Sequence, residues 1–136
     1  MSSISHAEPK ITLFVNGTLM RGEPLHVNLS GAVFRGDIVT MPHYRLLSVD
    51  DKHPAMVPAR EGDGMSIAGE LYEMSLHQLQ YVLLREPAGL GLGVVDLEGG
   101  LKSLGICWTA PEPPAHSTDI SPYGGWREYR ASLLEH

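Results

Sequence analysis

The chain has a single cysteine, Cys107, so no internal disulfide can form, which fits a reducing compartment. It lacks any apolar run long enough to span a bilayer, and its N-terminus lacks the basic-then-apolar layout of a signal peptide. A cytoplasmic location is the default expectation. Basic residues are scarce: 10 Lys and Arg against 16 Asp and Glu leave a formal charge of −6. That balance argues against nucleic acid and anionic membrane as partners. The seven histidines include no pair at metal-ligand spacing on one helix, and Cys107 has no second thiol. Neither a metal nor a cofactor is expected. No serine sits in a nucleophile elbow, and Gly89, Gly91 and Gly93 follow a helix at the wrong spacing for a dinucleotide fingerprint. No internal repeat is visible.

What remains is an ordinary globular composition: 136 residues, 43% hydrophobic and 19% charged. One domain fits that length, and it can bury about two-thirds of its unfolded surface. Residues 1–9 read as a loose lead-in, 10–133 as the domain, and 134–136 as the remnant of an expression tag.

The stretch from Ile11 to Gly22 organises the reading. Leu13, Phe14 and Val15 are consecutive and apolar, as in a strand buried on both faces. Asn16-Gly17-Thr18 then forms a small polar turn. Gly17 has no Cβ, so a ligand can approach the main chain there. Such a turn can aim several N–H groups at an anion, or it can simply end a strand.

Downstream, Phe34, Gly36 and Ile38 alternate with Arg35, Asp37 and Val39. After a break at Met41-Pro42-His43, Tyr44 to Val49 resumes the strand, so a hairpin is expected. Asp50 to Pro54 reads as a turn, and Ala55 to Pro58 as an edge piece bounded by prolines. Met65 to Met74 reads as a strand with a bulge or close backbone approach at Gly69. Ser75 with Gln78 is a capping-box pattern, and Leu76, Leu79, Val82 and Leu83 form a helical stripe. Pro87 should stop that helix near Arg85. Gly89, Gly91 and Gly93 read as its exit loop. Val94–Leu97 and Leu101–Ala110 read as a hairpin turning at Glu98-Gly99-Gly100. Trp126, Tyr129 and Leu133 mark a short C-terminal helix. Several short strands, one clear helix and no regular βαβ alternation point to an α+β domain with a small closed or nearly closed mixed sheet.

Glu86 is the sharpest chemical candidate. It stands at a helix end between Leu84 and Pro87, where desolvation would raise its pKa toward neutrality. The competing reading is a solvated glutamate at a helix end. Glu70 and Glu73 lie three apart on one strand and so face opposite sides, as surface or rim charges. Turn chemistry accounts for Asp50, Asp51 and His53. Cys107 reads as a small buried apolar residue. Tyr123, Trp126 and Tyr129 read as core and lid packing.

Four segments in order are similar to the γ-glutamylcyclotransferase-like superfamily. They are Phe14–Gly22, Ala68–Glu73, Glu86-Pro87-Ala88-Gly89-Leu90 and Tyr123–Tyr129. Within it the chain most resembles the C-terminal domain of allophanate hydrolases, over residues 11 to 131. The resemblance implies a small mixed β-barrel with flanking helices and a pocket at the end of the first strand. It makes Glu86 the expected catalytic glutamate. It carries substrate binding to Gly17, Thr18, Leu19 and Met20, with Asn16 and Tyr123 completing the set. The implied chemistry is proton transfer on a γ-glutamyl or related amide or ureido compound. In some allophanate hydrolases this domain is assigned decarboxylation, with a histidine near the first loop; here His26 is the nearest. The alternative is a non-catalytic accessory, assembly or ligand-binding module on the same scaffold. The implied partners are a small-molecule amide or carboxylate ligand, an amidase, or a second copy of the chain.

Overall fold

In the computed structural model, residues 9–135 are described. Of the expected lead-in only Pro9 falls among them, and His136 of the expected tag remnant lies outside. The first strand, β1 (Lys10–Val15), sits at the centre of the main sheet. Leu13, Phe14 and Val15 are at most 1% exposed, as a strand covered on both faces requires. β1 runs antiparallel to β5 (Ala68–Ser75) and parallel to β7 (Lys102–Trp108). β2 (Val33–Val39) pairs with β5, and β6 (Leu90–Asp96) with β7, giving the order β2-β5-β1-β7-β6.

A second sheet has the order β4-β3-β8, built from β3 (Tyr44–Val49), β4 (His53–Pro58) and β8 (Ser117–Asp119). Pro54 and Pro58 lie on its edge strand, where a missing N–H costs no ladder bond. The Tyr44 hydroxyl accepts from the Asp96 N–H at 2.8 Å and ties this sheet to the first. The two sheets do not close into the expected barrel, but the α+β class holds.

The expected hairpin between Val33–Val39 and Tyr44–Val49 is not formed. β2 joins the main sheet and β3 the small one, because the break at Met41-Pro42-His43 carries the chain from one sheet to the other. Gly91 and Gly93 belong to β6 rather than to a loop. A Cβ on Gly91 would stand 2.8 Å from the Thr109 hydroxyl, so β6 packs closely on the residues beyond it. The close approach at Gly69 is real: a Cβ there would meet the Phe14 ring at 2.5 Å and the Val15 carbonyl at 2.4 Å.

Helix α1 (Leu76–Leu83) begins at Ser75, whose hydroxyl accepts from the Gln78 N–H at 3.1 Å. It buries Leu79 and Val82. Helix α2 (Trp126–Leu133) buries Trp126 and Tyr129. Among the described residues, no helix is long and apolar enough to cross a membrane.

Candidate functional site

At the end of β1 the chain leaves the sheet through Asn16 to Met20, all five residues buried. The Met20 N–H donates to the Gly17 carbonyl at 3.0 Å, closing a turn, and the Leu25 N–H donates to the Thr18 carbonyl at 2.9 Å. Among the described residues, the N–H groups of Gly17, Thr18 and Leu19 donate to no protein acceptor. Gly17 is required by space rather than by a left-handed backbone: a Cβ there would lie 2.4 Å from Cγ and Cδ of Pro54. That contact brings the edge strand of the small sheet against the loop. The Asn16 amide makes only long contacts, 3.4 Å to the Met56 sulfur and 3.5 Å to the Ile106 carbonyl.

Glu86 enters from α1. The helix ends at Leu83, and the Glu86 N–H still reaches back to the Leu83 carbonyl at 3.3 Å. Pro87 then forces the chain away from helical angles. Glu86 lines a recess together with the Val15–Leu19 segment, His53, Pro54, Leu90 and Ile106. The recess has a cavity volume of about 10 Å³, and about 240 Å³ of empty space counting its open mouth. The inner part has the size that one water requires. Oε2 of Glu86 is buried and has no hydrogen-bond partner among the described residues. Burial raises its pKa from 4.5 to about 7. Among the described residues, no lysine or arginine lines the recess to offset that desolvation, and His53 is the other titratable group in the wall. A carboxyl that exchanges a proton near neutrality thus shares a recess with three unengaged amides. This is the layout for general acid/base chemistry on a carbonyl group.

The structure brings Asn16, Gly17, Thr18, Leu19 and Glu86 together. It places Met20 and Tyr123 elsewhere. Met20 lines a separate depression of about 330 Å³ with Asp37, Arg127 and Glu128. Tyr123 is half-exposed, with its ring edge-on to Tyr129 at 5.2 Å. His26 does not line the recess; its Nδ1 lies 3.0 Å from the Leu19 carbonyl.

Two residues near the site differ from their sequence reading. Glu70 is no rim charge: it is 0% exposed. Its carboxylate accepts from the Arg21 N–H at 2.9 Å, Arg21 Nε at 2.8 Å, Arg127 Nη2 at 2.9 Å and the Tyr72 hydroxyl at 2.9 Å. Those donors outweigh desolvation and hold its pKa down to about 2. His53 is not only a turn residue: it opens β4 and lines the recess. Its one sequence signal was the adjacent Pro54, and nothing local showed that this edge folds over Gly17. Cys107 is partly buried, and desolvation raises its thiol to about 11, so it is inert at neutral pH. Among the described residues, no three His, Cys, Asp or Glu side chains gather to hold a metal ion.

Residues 11–131 match the family model described as the allophanate hydrolase C-terminal domain. The chain is 30% identical over 127 residues to the urea amidolyase of Saccharomyces cerevisiae, covering 88% of this chain and 7% of that protein. It thus spans less than a tenth of the length of the curated relatives it matches. A solved structure of a uropathogenic Escherichia coli-specific protein superposes with a TM-score of 0.84 at 35% identity, covering 90% of this chain and 97% of that one. Allophanate hydrolase of Kluyveromyces lactis shares the fold with a TM-score of 0.85 at 23% identity, over 92% of this chain and 22% of that one. An AIG2-like protein of Mus musculus matches with a TM-score of 0.61 at 26% identity, over 81% of this chain and 88% of that one.

Proposed function

The chain belongs to the allophanate hydrolase C-terminal domain family, and on that premise we propose that it is a small-molecule enzyme in which Glu86 transfers a proton to or from an amide-type substrate. The observation that carries this reading is the unpartnered Oε2 of Glu86 in a recess shared with Gly17, Thr18 and Leu19. A substrate seated in the mouth presents its carbonyl oxygen to the free loop amides. Those N–H groups stabilise the charge that develops on the oxygen. Ionised Glu86 accepts the proton of the attacking nitrogen and delivers it to the departing one. On a γ-glutamyl compound this closes a ring: the α-nitrogen bonds to the γ-carbonyl carbon, the carbonyl–nitrogen bond breaks, and 5-oxoproline and a free amine result. Ureido compounds offer the same carbonyl and nitrogen groups to the same donors.

The test is mass spectrometry for products from a panel of γ-glutamyl and ureido compounds, allophanate included. For a substrate that turns over, Glu86→Gln is expected to lower kcat about 10²–10⁴-fold with the fold intact, and wild-type kcat/KM is expected to rise with pH through about 7. Full activity in Glu86→Gln would remove Glu86 from the mechanism.

A second reading is favoured by the size of the relatives. The matched segment is 22% of the Kluyveromyces lactis allophanate hydrolase chain, so this fold occurs as a portion of a larger protein. On that reading the chain is an accessory module for an amidase. Co-purification with an amidase, together with no turnover across the panel, would favour it.

A further inference from the structure

The two walls of the recess are held from behind by one short helix. The loop wall is anchored at both stems by Glu70. Val15, where the loop begins, pairs with Glu70 in the β1–β5 ladder, and the Arg21 N–H, where it ends, donates to the Glu70 carboxylate at 2.9 Å. Arg127 of α2 completes that anchor. Its Nη2 donates to the Arg21 carbonyl and, at 2.9 Å, to Glu70 Oε2. Trp126 adds a bond from its indole N–H to Glu23 Oε1 at 3.1 Å.

The other wall, His53-Pro54, follows the turn between β3 and β4. In that turn Asp51 has φ +57°, a left-handed conformation that side chains seldom adopt. The Asp51 carboxylate accepts from the Ser48 hydroxyl at 2.6 Å and from the Tyr129 hydroxyl of α2 at 2.6 Å. Arg127 and Tyr129 therefore each tie one wall to the same eight-residue helix.

We infer that α2 is a clamp that fixes the gap between the Gly17 loop and the His53-Pro54 edge, with Arg127 and Tyr129 as positioning residues for Glu86. The inference rests on the recess being the site proposed above. Neither residue lines the recess, so both act through the walls. Trp126 is fully buried and keeps α2 seated when either tie is cut.

The experiment is a ¹³C-carboxyl NMR titration of the full chain as wild type, Arg127→Gln and Tyr129→Phe. Asp96, on β6 and bonded to His43 and Lys102, serves as the internal control, and His53 is titrated alongside as the other ionisable wall residue. With the clamp cut, water reaches Glu86, and its midpoint is expected to move from about 7 toward 4.5. Asp96 is expected to stay in place. If either variant fails to fold, Arg127→Lys and Asp51→Asn weaken the same ties without removing them, and the midpoint is expected to move the same way by a smaller step. A wild-type midpoint near 7 that no variant moves overturns the clamp alone. A wild-type midpoint near 4.5 overturns both the clamp and the site reading beneath it.

Discussion

Glu70 and Glu86 both sit in wells of low solvent access beside the same loop, one on β5 and the other at the exit of α1. Glu70 is the more buried, at 0% exposure, yet it is the one held charged. Four donors from Arg21, Arg127 and Tyr72 surround its carboxylate and press its pKa to about 2. Glu86 keeps some exposure but has no donor on Oε2, and its pKa climbs to about 7. Burial pushes both carboxylates up; donors outweigh it at Glu70, and at Glu86 nothing offsets it. The two also differ in what they touch: Glu70 anchors the stems of the loop, and Glu86 lines the recess beside it.

The hardest test of that difference is to remove Glu70. Glu70→Ala leaves Arg21, Arg127 and Tyr72 without their shared partner and is expected to cost about 3–5 kcal/mol in urea unfolding. Glu86→Gln, which removes no bond on Oε2, is expected to leave stability at neutral pH unchanged or higher. Equal losses in the two variants would erase the contrast.

A pH series sharpens it. The folded pKa of Glu86 lies above 4.5, the value of a free glutamate, so the folded state binds the extra proton. Its stabilising contribution is complete below about 4.5 and is lost as pH rises through about 7. The loss reaches at most about 3 kcal/mol. Glu70 runs the other way. Its contribution is present above about 4.5 and is lost as pH falls toward 2. Thermal unfolding between pH 4.5 and 8 should therefore show a decline in wild type that is missing in Glu86→Gln. A wild-type curve that rises through that window would contradict the raised pKa.

The smallest expected effect comes from the wall between them. Gly17→Ala sets a Cβ 2.4 Å from the Pro54 ring, and relieving that clash is expected to cost about 1–3 kcal/mol. It should also part the walls and lower the Glu86 midpoint without touching Glu70.

Legibility in the sequence followed the range of the signal. Ser75 with Gln78, the stripe through Leu79 and Val82, and the turn at Glu98-Gly99-Gly100 are local patterns, and each element stands where its pattern put it. The run Leu13-Phe14-Val15 announced a strand covered on both faces for the same reason. Strand partners are non-local. β2 and β3 carry hairpin-like alternation but pair with β5 and β4, a choice set by the crossing at Pro42. Glu70 was misread because its donors come from positions 21 and 127, and strand parity alone could not say which face would receive them. Glu86 and the Asn16–Leu19 loop stood out in the sequence, and the structure places them around one recess. That Pro54 folds onto Gly17 and brings His53 into the recess was not legible, since the contact joins two sheets.

The contrast between Glu86 and Glu70 is a contrast of midpoints, about 7 against about 2. One ¹³C-carboxyl NMR titration of the wild-type chain follows both residues at once. Glu86 is expected to titrate at about 7 while Glu70 stays ionised down to about 2. Two ordinary midpoints, both near 4.5, would contradict it.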